Sequence, residues 1–363
     1  MSREQRYDVI ALLSGGLDSI LASRLIQAQG RKVLCLHFVT PFFGKPHLTD
    51  KWQEIYGLTV RPVDISREFV ALLVRRPAHG FGKVLNPCVD CKILLLRAAR
   101  EMMGQFGAKV IITGEVLGQR PMSQRRDVLN VIRREAGVRD LLLRPLCARH
   151  LEPTPAETSG FIDRSGLLGF SGRGRKNQLE LAGKFGITDI PTPAGGCRLT
   201  EQGSARAFWP VLRFLPRPEP ADFVLAKTGR QYWNLEGRSP RWLCVGRNLA
   251  DNERLEAQAG PEDLLLEAVG HTGATALGRT LPGDSWDNDS VRSAAAFAAS
   301  FSGKAVRHHA ATGEDIAVRV FSRSRGSGVL SVRPRREGLG WGEYSWEAAR
   351  AEMRAEAKAR EGR

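Results

Sequence analysis

Apolar and polar positions follow two rhythms in the first half of this chain. Residues 9–13 form a short apolar run, a glycine turn follows, and residues 19–28 repeat apolar side chains at helical spacing until Gly30 stops them. Residues 32–39 read as a second strand and 59–64 as a third, with a helical pattern at 67–75. Residues 91–106 predict a long helix, apolar at 93–96, 98–99, 102–103 and 106, with Gly107 placed to cap its end. Residues 109–113 read as another strand. Strands alternating with helices predict an α/β fold, a parallel sheet with helices on both faces.

From about Pro153 the rhythm changes. Ser171-Gly172-Arg173-Gly174-Arg175-Lys176 is a basic, flexible loop and 177–185 is helical. Pro191-Thr192-Pro193-Ala194-Gly195-Gly196-Cys197 is a turn, rigid and then flexible, that delivers a cysteine. Pro210, Pro216, Pro218 and Pro220 mark a linker near 208–221. The expected organisation is an α/β domain over 1–152, an extension and linker over 153–221, a smaller α+β domain over 222–336, and a helical tail of mixed charge over 337–363.

Composition adds bounds. At 363 residues two or three domains are expected, and 42% hydrophobic with 26% charged residues is ordinary for a soluble globular chain. No apolar run reaches the roughly 18 residues of a membrane span, and the polar residues 1–7 do not read as a signal peptide, so a cytoplasmic location is expected. Lys plus Arg number 54 against 39 Asp plus Glu, a net charge of 54 − 39 = +15. That excess favours a polyanionic partner, although an arginine-rich genome would also produce it. Of six cysteines, Cys35 and Cys244 sit in apolar runs and read as core thiols, Cys147 is ambiguous, and Cys88, Cys91 and Cys197 are left for chemistry.

Ser14-Gly15-Gly16-Leu17-Asp18-Ser19 lies between a strand and a helix. A glycine turn there lets backbone N–H groups approach an anion, and the helix N-terminus adds partial positive charge. Ser14 and Ser19 can donate to phosphate oxygens. Asp18 would repel phosphate unless it holds Mg²⁺ on a departing pyrophosphate. No Gly-Lys-Ser/Thr follows, so this is not a Walker A loop. It resembles the SGGxDS loop of the PP-loop ATP pyrophosphatases, which have an adenine-nucleotide α-hydrolase-like fold and split ATP between its α- and β-phosphates to adenylate a substrate. That resemblance places the adenine beside His37 and Phe38, although His37 also reads as a satisfied core histidine. Thr113-Gly114-Glu115-Val116-Leu117-Gly118-Gln119 through Ser123-Gln124 resembles the TGE-x-LGQ-x-x-SQ stretch of the 4-thiouridine synthetases, with Arg120-Pro121-Met122 between its halves. Arg144-Pro145-Leu146 and the basic helix near 175–186 have counterparts there too, so the similarity covers about 8–190. It implies ATP contacts at Ser14, Gly15, Gly16, Leu17, Asp18, Ser19, His37, Phe38, Gly114 and Gln119.

Cys88-Val89-Asp90-Cys91 precedes the helix expected from Lys92, where the helix dipole would lower a thiol pKa. Three cysteines from separate segments can ligate three corners of a 4Fe-4S cluster whose fourth iron stays open to a sulfide. One branch of the PP-loop thiolases, which the chain resembles, uses such a set. Alternatives are a persulfide on Cys88 or Cys91 resolved by Cys197, and a structural zinc with His79 as fourth ligand.

Further along, Val245-Gly246-Arg247-Asn248, Asp263-Leu264-Leu265-Leu266-Glu267, Gly270-His271-Thr272-Gly273-Ala274 and the small-residue run at 293–302 resemble, in order, the RNA-binding domain of NFACT-type proteins. Arg247 and Asn248 could contact RNA or cap a turn, and the alanine-rich run could be a core helix. Arg125, Arg126, Arg175 and Lys176, with the cluster at Arg319, Arg323, Arg325, Arg333, Arg335 and Arg336 around Phe321, suit an RNA track or a solvated face. Together these features predict an ATP-dependent tRNA uridine sulfurtransferase. Its catalytic residues are Asp18, Cys88, Cys91 and Cys197, and its cofactors ATP, Mg²⁺ and a 4Fe-4S cluster. Its partners are tRNA and a sulfur donor (sulfide or a persulfide carrier), with a homodimer open to it and no membrane. The competing readings are an amide-forming ligase of the same superfamily and an RNA-binding protein with a regulatory ATP site.

Overall fold

A computed structural model describes residues 6–191, 196–236 and 239–361. Part of the turn before Cys197, residues 192–195, lies outside the described residues. The chain divides into two compact units, Met1–Glu201 and Gln202–Arg363.

The first unit contains, in order, β1 (Val9–Leu12), α1 (Leu17–Gln27), β2 (Val33–Val39), α2 (Thr49–Tyr56), β3 (Thr59–Asp64), α3 (Ser66–Arg75), α4 (Cys88–Phe106), β4 (Val110–Thr113), α5 (Arg126–Glu135), β5 (Leu142–Leu143), α6 (Pro155–Thr158) and α7 (Lys176–Lys184). Its five strands are parallel, in the order β3-β2-β1-β4-β5. Successive residues of β1 serve opposite faces. Val9 and Ala11 join a core with α1, α2 and α7, whereas Ile10 and Leu12 join one with α4 and α5. Burial on both faces explains why the central strands β1, β2 and β4 read as largely apolar runs, whereas β3 at the edge does not. The strand order turns back between β1 and β4, and in such sheets ligands bind at the carboxyl ends of the strands flanking that point.

The α4 helix begins at Cys88, with Pro87 as its N-cap, so both cysteines lie in its first turn rather than ahead of it. The Cys-Val-Asp-Cys stretch lacks the apolar spacing that would have announced it.

The second unit contains α8 (Gln202–Phe214), α9 (Pro220–Leu225), β6 (Arg230–Asn234), β7 (Arg241–Val245), α10 (Leu249–Gln258), β8 (Leu264–Ala268), β9 (Ala276–Arg279), α11 (Asn288–Ala299), α12 (Gly303–Thr312), β10 (Ile316–Ser322), β11 (Gly326–Val332), β12 (Trp341–Gly342) and α13 (Trp346–Glu361). Its strands form an antiparallel sheet, β11-β10-β8-β9-β7-β6-β12. Ala294 to Ala299 of α11 are all buried against this sheet, so the alanine-rich run is a core helix. The proline-rich stretch is largely helical. Pro210 sits inside α8, where burial of Ala205, Phe208, Trp209, Val211 and Leu212 outweighs one lost hydrogen bond, and Pro220 takes the first turn of α9. Among the described residues no helix is long and apolar enough to cross a membrane.

Candidate functional site

The turn from β1 into α1 is held by its own polar groups. The Ser19 hydroxyl donates to the Gly16 carbonyl (2.8 Å) and lies 3.3 Å from Ser14 Oγ, which accepts from the Gly16 N–H (3.4 Å). Gly15 has φ +78°, and a Cβ there would fall 2.4 Å from the Trp52 ring, so both backbone and space require glycine. Gly16 is the N-cap of α1 and no side chain caps it, leaving first-turn N–H groups for an anion.

Asp18 Oδ2 accepts from Gln119 Nε2 (3.1 Å), whereas Oδ1 is buried with no hydrogen-bond partner. Burial holds this carboxyl above its ordinary range, and Gln119, Arg175, Gln178 and Arg120 pull it back. A half-satisfied carboxylate at the uncapped start of α1 fits Mg²⁺, which needs one or two carboxylates and takes its other ligands from phosphates and water. Gly114 closes the far wall. A Cβ there would lie 2.5 Å from the backbone of Asp18 and Ser19.

His37 is 2% exposed and both ring nitrogens are committed. Nε2 accepts from the Lys45 N–H (2.7 Å), so Nδ1 carries the proton and donates to the Leu13 carbonyl (2.8 Å). The ring pins the chain between residues 37 and 45 to the phosphate turn. Only backbone at His37 and Phe38 remains for an adenine.

The motif that follows β4 is braced from below. Glu115, 2% exposed, accepts from Arg144 Nε (2.9 Å) and Thr113 Oγ1 (3.0 Å), with Lys92 Nζ 3.8 Å away. Burial alone would raise the Glu115 carboxyl, but Lys92 and Arg144 outweigh it and hold it below its usual range. Trp52 and Gln178 did not stand out in the sequence, and Glu115 and Arg144 stood out there only in separate motifs, because their pairing is recognisable only from the fold.

Cys88 and Cys91 meet Cys197 through backbone. The Leu85 N–H donates to the Leu199 carbonyl (3.0 Å) and the Arg198 N–H to the Phe42 carbonyl (2.9 Å), which lays the Cys197 segment against the entry to α4. Asn86 Nδ2 donates to Cys88 Sγ (3.1 Å). The expected lowering of thiol pKa is reversed at Cys91, and Cys197 is raised as well. Burial, then the Cys197 and Cys88 sulfurs, push the Cys91 thiol well up despite Lys92, and burial drives Cys197 to about 12. A helix terminus contributes roughly 0.3–1 kcal/mol, whereas burial can move a pKa by 3–5 units. Among the described residues no three His, Cys, Asp or Glu side chains are arranged to hold a metal ion. His79 instead pairs with Glu135 (2.9 Å).

The basic residues separate. Arg125 is bound to Asp127 (2.6 Å) and Arg126 donates to the His150 carbonyl, both on the surface. Arg175 stands near Asp18, and exposed Lys176 opens α7. In the second unit Arg247 pairs with Asp251 (2.6 Å), and Asn248 caps α10 by accepting from the Asp251 N–H (2.9 Å).

Residues 5–152 match the family model described as thiamine biosynthesis protein (ThiI). A "Probable tRNA sulfurtransferase" of Thermococcus kodakarensis is 31% identical over 120 residues, 31% of this chain and 30% of that protein. A tRNA sulfurtransferase of Histophilus somni is 33% identical over 153 residues, 40% of this chain and 30% of that protein. The chain thus spans about 30% of the length of these relatives. The solved structure of NMN synthetase from Francisella tularensis aligns with a TM-score of 0.30 at 15% identity, over 55% of this chain and 73% of that one. Over residues 5–152, then, the chain carries a domain that matches the ThiI family.

Proposed function

We propose that this protein is an ATP-dependent tRNA sulfurtransferase of the cytoplasm, adenylating a uridine carbonyl and replacing its oxygen with sulfur. The observation that carries the reading is the presence, in one compact unit, of a glycine turn at the start of α1 with a half-satisfied Asp18 and of three cysteines whose segments are joined by a backbone hydrogen bond. Resemblance to tRNA sulfurtransferases over 120 to 153 residues supports the same substrate.

The triphosphate lies on the first-turn N–H groups of α1, with Mg²⁺ at Asp18 offsetting the charge that pyrophosphate carries away. The uridine oxygen attacks the α-phosphorus, the bond to the β-phosphate oxygen breaks, pyrophosphate leaves with the bonding pair, and the base loses its N3 proton. A sulfur nucleophile then adds to the activated carbon and AMP departs.

The first form of the sulfur step runs on cysteine. A persulfide on Cys88 or Cys91, loaded by a persulfide carrier, attacks through its outer sulfur. Cys197 attacks the cysteine sulfur of the resulting disulfide, freeing thiouridine and leaving a protein disulfide that an external thiol must reduce. The second reading, a 4Fe-4S cluster on Cys88, Cys91 and Cys197, would supply an iron-bound sulfide in place of the persulfide.

One comparison tests both. Wild type and Cys197→Ser, purified without oxygen, are assayed for AMP formation, thiolated tRNA, iron and acid-labile sulfide. The substitution should abolish thiolation and spare adenylation. Iron and sulfide present in wild type and lost in the variant would favour the cluster. Wild type that forms AMP but never thio-tRNA with sulfide or a persulfide donor would sink the sulfurtransferase reading.

A further inference from the structure

Two arginines at the phosphate end of the site are unspent. The basic loop before α7 is anchored to the motif after β4, where Leu117 and Ser171 form a parallel bridge and the Gly172 N–H donates to the Leu117 carbonyl (2.8 Å). Gly118 has φ +77° and Gly172 φ +80°, and a Cβ on Gly118 would lie 3.6 Å from the Gly172 nitrogen, so the two loops run close. Next to that anchor Gln119 reaches Asp18. On the other loop Arg175 occupies the N-cap position of α7 without a side-chain capping bond, and Gln178 of that helix is 1% exposed and turned toward Asp18. Arg120 follows Gln119 directly, and its carbonyl accepts from the Gln124 N–H (3.0 Å). Arg120 and Arg175 therefore stand, on two bridged loops, close in sequence to the residues that approach Asp18, and among the described residues neither guanidinium has a hydrogen-bond or ion-pair partner. The other basic residues singled out near this unit's edge, Arg125 and Arg126, are already engaged.

We propose that Arg120 and Arg175 form a two-loop clamp for the β- and γ-phosphates of ATP and hold pyrophosphate as it leaves. This rests on the reading that the chain splits ATP between the α- and β-phosphates. The charges require such a group. A triphosphate brings about four negative charges and Asp18 a fifth, against one Mg²⁺ and the roughly half charge of a helix terminus. Planar guanidiniums suit phosphate oxygens bidentately, and they come from loops that a ligand can draw together. Arg175 thereby belongs to the nucleotide and not to the RNA. The Arg120-Pro121-Met122 stretch, which interrupts the resemblance to the 4-thiouridine synthetases, supplies the other arm.

The test measures binding of Mg·ATP, Mg·pyrophosphate, AMP and tRNA to the full chain by calorimetry and filter assay. The variants are Arg120→Ala, Arg175→Ala and Arg175→Lys, with Arg173→Ala as control in the same loop. Charge-assisted contacts predict that each clamp alanine weakens Mg·ATP and pyrophosphate by roughly ten- to a hundredfold while AMP is unchanged. Arg175→Lys should recover part of that loss, and Arg173→Ala should bind both ligands like wild type. Equal weakening of AMP, a loss confined to tRNA, or the same loss in Arg173→Ala overturns the clamp. Wild type that binds neither Mg·ATP nor pyrophosphate overturns the ATP reading itself.

Discussion

Gly114→Ala is the sharpest probe of how the phosphate cradle is built. The new methyl carbon would lie 2.5 Å from the Asp18 carbonyl carbon and oxygen and the Ser19 nitrogen, where 3.4 Å is an ordinary contact. Relief requires about 3.4 − 2.5 = 0.9 Å of movement, and the obstructing atoms are backbone, so no side-chain rotation supplies it. The displaced peptide is the one that carries Asp18 and opens α1. Misplacement of reacting groups by about 1 Å costs on the order of a hundredfold in rate. The buried Asp18 Oδ1 would move by the same amount, so Mg·ATP affinity should fall as well. The assay is AMP formation with saturating tRNA, read beside a urea melt. We expect adenylation to fall roughly a hundredfold while the protein remains folded. Adenylation within threefold of wild type would refute the close approach of β4 to the cradle.

Two further changes test the bracing. Arg144→Met leaves Glu115 buried with Lys92 as its remaining cation, and breaking such a pair should cost about 3 kcal/mol in urea unfolding, the low end for buried pairs because Lys92 stays; a loss below about 1 kcal/mol would mean that the pair is not a brace. His37 should make stability pH-dependent. Burial lowers its folded pKa, so the unfolded chain binds more protons as pH falls below about 6.5, and stability present above that value is lost on acidification. His37→Gln should flatten this part of the unfolding profile between pH 7 and 5, and an unchanged slope would remove His37 as its source.

The legible part of this fold was what burial writes into short segments. Residues 9–13 and 33–36 are apolar throughout because both faces of the sheet are covered there, and the glycine turn between a strand and a helix identified itself by order alone. Strands β6, β10 and β11 were not resolved individually, since each has exposed positions and residues such as Arg230, Gln231, Arg319 and Ser327 dilute the pattern. The site divided along the same line. Ser14 to Ser19 lie within six residues, but Gln178 meets Asp18 from 160 positions away and Arg144 meets Glu115 from 29, and no local spacing encodes such meetings. The cysteines were singled out by residue type, and the ionisation of Cys91 was misjudged because a helix terminus is visible in sequence and depth of burial is not.

The short segment around Phe42 has two neighbours. Its carbonyl receives the Arg198 N–H beside the third cysteine, while three residues later Lys45 donates to the histidine that holds the phosphate turn. A single stretch of chain therefore serves as a common hinge pin for the end of the unit that would spend ATP and the end that would carry sulfur. Neither end can drift in sequence, lengthen or loosen without dragging on the other, so the spacing between the two chemistries is a property inherited as one piece.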